Sequence, residues 1–420
     1  MRQLKRTLDL GDSTLLGIGA IIGAGIYVVL GLAAGVAGPG VILSIIIAGM
    51  AAGLSSLSFS ELGSSMPREG GPYEFSRKIL SPSIGFMVGW LWLASNIITG
   101  SAVSLGFAGY LGVLIPWLDQ RLIALVAITF FSGINIIGVK RSARFNDLLV
   151  TLKLILILAF ILLGAGSVKT SNFTPFLPLG PLGILQASAL MFFAYGGFAR
   201  ITTVAEEVKD PGRTIPASIL LALGISTIIY ILTGIVAVGL VDWRALANSG
   251  SPLAVAIATT GIPWAVGVVS AGAMIATLSV LLVAVLGVSR VMFAMARNHD
   301  LPAGLSDIDP AYSTPVNSIL VSTAIMILFV LSGDLKLIVG VSSFTLFIVH
   351  GLTNICALFV RKKFPRIDRP FKIPWYPLPP ILGVLFCFGL AFTLPFDSWI
   401  VGLAVISIGI VYYLLFRPAR

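Results

Sequence analysis

The chain reads as an all-α integral membrane protein of about twelve transmembrane helices. Three observations predict this. The 420 residues are 57% hydrophobic and only 10% charged, too apolar for a soluble protein. Apolar stretches of membrane-spanning length follow one another from end to end. Two of them, the first and the sixth, are interrupted by glycine in mid-segment: Gly17-Ile-Gly-Ala-Ile-Ile-Gly-Ala-Gly-Ile-Tyr27 and Phe192-Phe-Ala-Tyr-Gly-Gly-Phe198. In a bilayer every freed backbone group needs a partner, so an interrupted helix survives only where it lines a cavity or meets a ligand. Two breaks five segments apart point to a transporter built from inverted repeats, with its substrate site at the breaks.

The segments fall near 13–36, 40–65, 82–115, 121–138, 146–167, 182–204, 215–240, 263–296, 316–332, 336–360, 378–394 and 397–416. Segment one is too long for the apolar core of a signal peptide and lacks a small-residue cleavage site, so it is kept as a helix. Pro67-Arg-Glu-Gly-Gly-Pro-Tyr73 is a turn after segment two. Tyr73 and Phe75 are placed amphipathically along the membrane surface before segment three. After segment six comes the charged turn Glu206-Glu-Val-Lys-Asp-Pro-Gly-Arg-Thr-Ile-Pro216, with a proline close to the next helix start. Topology and helix capping alone are an adequate account of both loops. Segments eleven and twelve are set off by Arg369-Pro-Phe-Lys-Ile-Pro-Trp-Tyr-Pro-Leu-Pro-Pro380, whose prolines cannot join a helix interior. No loop is long enough to be a soluble domain. The chain is read as one membrane domain, 1–420, divided into a first repeat 1–168 (helices one to five), a second 169–363 (helices six to ten) and an extra pair 364–420.

The net charge of +10 raises the question of an anionic partner. With the N-terminus in the cytoplasm, the outer loops hold only Arg121, Lys169, Arg244 and Lys336. The remaining Lys and Arg, apart from Lys153 and Arg200, fall in the N-terminal tail, the inner loops and the inner helix ends, from Arg2 and Lys5 through Lys140 and Arg141 to Arg417 and Arg420. This is the positive-inside pattern; it puts both termini in the cytoplasm of a cell (plasma or inner) membrane and makes the basic excess a topology signal, with no nucleic acid as partner. Cys356 and Cys387 both lie in apolar segments and read as packing residues. His350 reads as a hydrogen-bonded helix residue, and neither it nor His299 shows metal-ligand spacing. There is no Walker motif, no nucleophile–base constellation and no cluster of soft ligands. The reading therefore excludes an ATP-driven pump and an enzyme, and implies no cofactor or metal. No residue pattern singles out one substrate or a subunit interface.

Several motifs, in order, resemble the amino acid–polyamine–organocation transporter superfamily: Gly19-Ala-Ile-Ile-Gly-Ala-Gly-Ile-Tyr27, Glu61-Leu through Tyr73, Asn135-Ile-Ile-Gly-Val-Lys140, Ala205 through Pro216, Ser289-Arg290 with Ala294-Met-Ala-Arg-Asn298 and Leu301-Pro302, and Arg369-Pro-Phe-Lys-Ile-Pro374. The resemblance implies a five-plus-five inverted repeat with broken helices one and six, two extra helices, and transport of amino acids or related amines. It also implies the site. Ala24 and Gly25 would donate amides to a substrate carboxylate, helped by the positive end of the half-helix dipole. Carbonyls of Ile21, Phe193, Ala194 and Gly196 would accept from the ammonium, and Gly23 and Gly25 would let the backbone approach the ligand. The same glycines also suit close helix packing. Phe193 matches an aromatic gate in relatives, or is simply core. Two positions depart from the family: Gly196 stands where a bulkier aliphatic residue is common, which would enlarge the pocket, and Ala199 stands where relatives often carry an acid.

Lys153 lies seven residues beyond Asn146 in Leu148-Leu-Val-Thr-Leu-Lys-Leu-Ile-Leu-Ile157, roughly 10 Å into the membrane at ~1.5 Å per residue. A buried lysine is costly and marks function by default. None of the 17 acidic residues lies deep in an apolar segment, so no carboxylate partner is evident. Desolvation penalises the charged amine, so it can exchange a proton. In proton-coupled, sodium-independent, broad-specificity relatives, a lysine here takes the place of a sodium ion. By that resemblance Lys153 would meet the carbonyls of Gly19 and Ile22 and the hydroxyl of Ser279, with Thr277 as a further candidate; otherwise it is a fixed brace. Arg200 is either an inner gate pairing with Glu61, Glu206 or an N-terminal carboxylate, or a static brace. The sequence thus predicts a secondary transporter moving an amino acid with a proton. An ion-independent exchanger and a non-transporting amino acid receptor are the rival readings.

Overall fold

The computed structural model describes residues 6, 8–68, 70–137, 142–310, 312, 314–332 and 334–416. Arg2, Lys5, Lys140, Arg141, Arg417 and Arg420, Glu69 of the turn after segment two, and the end of the Asn135–Lys140 motif lie outside the described residues.

Helix α1 (Leu10–Ile21) starts from a capping box in which the Asp9 carboxylate accepts from Asp12 N and the Asp12 carboxylate accepts from Asp9 N. It stops at Ile22, whose backbone is extended at φ −76°, ψ 105°. The chain resumes in one π-helical stretch, Gly25–Val29, and continues as α2 (Leu30–Ala37). Gly38, at φ +65°, then turns it into α3 (Val41–Ser65). A Cβ on Gly17 would meet Ala222 and Ile201, and one on Gly63 would meet Thr202 and Ile215, so α1 and the end of α3 both pack against the stretch 201–222. The first two segments are therefore antiparallel.

Helix α4 (Pro72–Ile79) buries Tyr73, Phe75 and Ile79 in the protein. This corrects the expectation of a surface-lying amphipath: its apolar side packs on protein. Helices α5 (Pro82–Leu114), α6 (Gln120–Ile137) and α7 (Ser142–Ala165) complete the first five segments. Segment six repeats the interruption: α8 (Gly180–Tyr195), a single 3₁₀ turn at Gly196–Ala199, then the short α9 (Arg200–Thr203). Helix α10 begins at Pro211, earlier than the hydropathy pattern suggests, because Pro211 suits a first helical position, and runs to Leu240. Short α11 (Trp243–Ala247) and α12 (Pro252–Ala258) lead into α13 (Ala265–Arg297), α14 (Val316–Ser332) and α15 (Leu335–Lys363). Helices α16 (Leu378–Ala391) and α17 (Phe396–Phe416) follow.

Among the described residues nine stretches are long and apolar enough to cross a membrane; the first, Leu10–Ser65, is the folded pair of segments, and Val316–Ser332 and Leu378–Ala391 are shorter apolar helices. Together they make the twelve segments of the sequence pattern. The broken helices are central: 83% of the most apolar window is buried in both Leu10–Ser65 and Gly180–Thr203, against 11% in α17. Helix α17 sits at the rim, where Val405 O accepts from Trp90 Nε1 at 2.9 Å.

Candidate functional site

The two breaks meet backbone to backbone. A Cβ on Gly197 would overlap the Ala20 carbonyl and lie 2.6 Å from Ile21 N, and one on Gly25 would overlap Ala194, with the Ala194 Cα at 2.5 Å. Only glycine permits these approaches. The hydrogens of Gly23 face Val280, and a Cβ on Gly196 would lie 2.9 Å from Leu346 Cδ1. In this conformation Gly23 and Gly25 pack against protein, the close helix packing that the sequence also allowed.

Interrupting α1 leaves carbonyls that need donors. Lys153 Nζ, fully buried on α7, donates to Gly19 O at 2.6 Å, Ile22 O at 2.7 Å and Ser279 Oγ at 2.9 Å. Ser279 donates its own proton to Ala276 O at 2.9 Å, so toward Lys153 it accepts. Three acceptors match the three donors of an ammonium group. Thr277 does not join them; its hydroxyl turns back to Ala273 O and Met274 O of its own helix.

Tyr230 on α10 supplies the other donor. Its hydroxyl lies 2.7 Å from Ile21 O and 3.2 Å from Ala194 O, bridging the breaks. Sequence reasoning missed it, although a phenol in an apolar helix signals a hidden partner. Phe193 is buried, and its carbonyl accepts from Gly196 N. Ile26 N and Tyr27 N both donate to Gly23 O, at 3.2 and 3.3 Å. The amides of Ala24 and Gly25 precede this turn, where helix N–H groups lack an intrahelical acceptor.

Arg200, 7% exposed, does not pair with Glu61. Its Nε and Nη2 donate to Asn96 Oδ1 of α5 at 3.3 and 3.1 Å. Glu61 is committed elsewhere, taking two bonds from Arg361 at 3.0 and 2.7 Å and one from Ile373 N at 2.8 Å. Of the carboxylates expected as partners of an Arg200 gate, Glu61 is thereby removed, because α15 and the loop after it occupy it. His350 is also corrected. Among the described residues neither ring nitrogen has a hydrogen-bond partner, because its neighbours are the rings of Phe59, Phe192 and Phe198, with centroids at 4.9, 5.2 and 5.3 Å. Cys356 and Cys387 are buried and unbridged. Among the described residues no His, Cys, Asp and Glu cluster could hold a metal ion.

Where α4 meets the stretch after α13, the Tyr73 hydroxyl donates to Asp300 at 2.7 Å, and it accepts from Arg77 at 3.1 Å and Asn298 at 3.0 Å. Arg77 also pairs directly with Asp300. Burial, then the Asp300 carboxylate, push the Tyr73 phenol above its ordinary range, so it stays a donor. Leu8 pairs with the stretch after α9, through Leu8 N to Glu207 O at 3.0 Å and Lys209 N to Leu8 O at 2.8 Å. Arg290 of α13 donates to Glu207 at 2.7 Å.

A bundle of apolar helices with two of them broken and touching in mid-membrane is the architecture of helical membrane transporters. The amino acid permease family model matches residues 12–415, and the chain belongs to that family. It is 33% identical over 437 residues to the methylthioribose transporter of Bacillus subtilis, covering 99% of this chain and 94% of the relative. It is also 33% identical over 438 residues to the branched-chain amino acid permease BcaP of the same organism, with coverage of 99% and 94%. The cationic amino acid transporter 5 of Arabidopsis thaliana is 30% identical over 384 residues, covering 88% of this chain and 67% of the relative.

Proposed function

We propose that this chain is a secondary active transporter that carries an amino acid across a cell membrane together with a proton, by alternating access between the repeats 1–168 and 169–363. Lys153 carries the reading: a buried amine, bonded among the described residues only to neutral acceptors, that ties the end of α1, at Gly19 and Ile22, to α13. An ammonium serves all three acceptors; a neutral amine has too few protons to do so. Loss of the proton therefore loosens α1 from α7 and α13, and a two-state tilt of α1 is what changes access to the breaks. Sodium is unnecessary, because the amine fills a cation's place.

The substrate carboxylate takes the amides of Ala24 and Gly25. Its ammonium takes the carbonyls of Ile21, Phe193, Ala194 and Gly196, of which Ile21 and Ala194 are held by Tyr230 until then. The branched-chain and cationic amino acid relatives support an amino acid as cargo. The distribution of Lys and Arg supports a plasma or inner membrane with both termini in the cytoplasm.

The test is accumulation of labelled amino acid in proteoliposomes at acid outside pH with sodium omitted. Wild type should accumulate substrate uphill, and Lys153→Ala should lose uphill uptake while retaining binding. Equal accumulation by the variant makes Lys153 a brace. Exchange without any response to the pH gradient favours an ion-independent exchanger, and a wild-type requirement for sodium refutes the proton assignment.

A further inference from the structure

Arg200 is a buried cation with no ion-pair partner among the described residues. It is the first residue after the second break, and it is 7% exposed. Asn96, a neutral amide, takes its Nε and Nη2, while Nη1 is buried with no hydrogen-bond partner among the described residues. Asn96 is itself oriented: its Nδ2 donates to Trp92 O at 2.7 Å, which turns Oδ1 toward the guanidinium. Glu61, the buried carboxylate of α3, is already taken by Arg361 and Ile373 N. Lys153, the other cation buried near the breaks, adds positive charge. The adjacent residue, Ala199, carries no charge, so this turn holds a positive charge alone.

An unpaired buried charge is costly, and a carboxylate is the group that relieves it most, through charge-assisted bonds to the guanidinium. We infer that Arg200 receives the side-chain carboxylate of the substrate, and that the preferred substrates are acidic amino acids. This rests on the amino acid reading above. The α-carboxylate and ammonium occupy the atoms already named, and Arg200 Nη1 reads the second acidic group. Asn96 is a positioning residue that fixes the fork of the guanidinium. A cationic side chain would face like charge at Arg200 and be excluded.

The experiment is equilibrium binding to the purified protein of glutamate against glutamine, and aspartate against asparagine, pairs of one shape that differ in charge. Wild type should bind glutamate tighter than glutamine by about 10- to 100-fold, the range of a charge-assisted bond. Arg200→Gln should bring the ratio near unity by weakening glutamate alone. Asn96→Asp gives Arg200 an internal carboxylate and should lower glutamate to the level of glutamine; it tests the inference even if Arg200→Gln does not fold. Glutamine binding as tightly as glutamate in wild type overturns the inference. So does an equal loss of glutamate, glutamine and alanine in Arg200→Gln, which would place the α-carboxylate at Arg200. Binding of neutral amino acids without the acidic preference refutes this inference and leaves the amino acid reading standing. Binding of no amino acid by wild type refutes both.

Discussion

Tyr230→Phe removes one oxygen from the joint between the breaks. The hydroxyl has one proton and two acceptors, Ile21 O at 2.7 Å and Ala194 O at 3.2 Å, so it makes one full bond and one weak contact. A net bond of this kind stabilises by ~0.5–1.5 kcal/mol, and leaving a buried carbonyl unpaired costs ~1–3 kcal/mol. The substrate-free variant should therefore lose about 1–3 kcal/mol, read as a lower melting temperature in detergent. Substrate should act in the opposite sense. If the ammonium takes these carbonyls, wild type must first give up the phenol bond, whereas the variant has nothing to displace. The variant should bind amino acid roughly 2- to 12-fold tighter, the equivalent of ~0.5–1.5 kcal/mol. Substrate should also raise its melting temperature by more than it raises that of wild type. Unchanged stability together with unchanged affinity would refute the assignment of Ile21 and Ala194 to the ammonium. Lower stability with weaker binding would make Tyr230 a purely structural strut.

Gly25→Val should abolish amino acid binding in a protein that still inserts and elutes as one species, because its side chain must displace Ala194; wild-type affinity would sink the site at the first break. Gly196→Ile presses on Leu346, an overpacking worth ~1–3 kcal/mol. It should penalise large substrates more than alanine or glycine in a competition series, and an equal loss for every size would assign Gly196 to the backbone break alone. Tyr73→Phe removes the hub between Asp300, Arg77 and Asn298 and should cost ~1–2 kcal/mol in chemical unfolding. The folded phenol is raised above its ordinary range, so its contribution is fully present below that range and is lost only as pH rises through the raised value. The difference between variant and wild type should then hold constant from about pH 6 to about pH 9, and a difference that shrinks within that window contradicts the reading.

The helical layout was legible because hydropathy in a membrane is close to a structural ruler, and because glycine in mid-span is hard to explain otherwise. Lys153 stood out for a related reason: a lysine seven residues inside an apolar helix must be bonded to something, although its acceptors Gly19, Ile22 and Ser279 came from family resemblance and not from spacing. Partner choice across long separations was not legible. Opposite charge suggested Arg200 with Glu61, but Arg361, from the far end of α15, supplies a two-pronged guanidinium to Glu61, and Asn96 reaches Arg200. His350 defeated the rule that buried polar groups are hydrogen-bonded, because residue type does not reveal that its neighbours are aromatic rings. Tyr230 was missed for a different reason: a phenol in an apolar helix signals a hidden partner, but nothing local says whether it reaches carbonyls or snorkels to the surface.

The contacts rank the restraints on α1. Leu8 is paired with the stretch after α9, so the start of α1 is joined to the end of the sixth segment. That joined unit is tied to α13 at two levels. Beside this pairing the tie is Arg290–Glu207, with the side chains 36% and 22% exposed. Ion pairs in contact with water contribute ~0–1 kcal/mol and are screened by salt. At mid-membrane the tie is Lys153, fully buried, with three acceptors. Hydrogen bonds from a charged donor are worth ~1.5–3 kcal/mol each, set against the cost of burying the charge, and removing one side of such a buried contact costs ~3–5 kcal/mol. The deeper tie outweighs the outer one several-fold. Breaking the surface pair alone would leave α1 in place, whereas neutralising the amine removes the larger restraint and leaves a pair that thermal motion opens. On the proposed mechanism this is why the proton must act at Lys153, and why salt should change the rate of inward opening far less than the loss of that one amine.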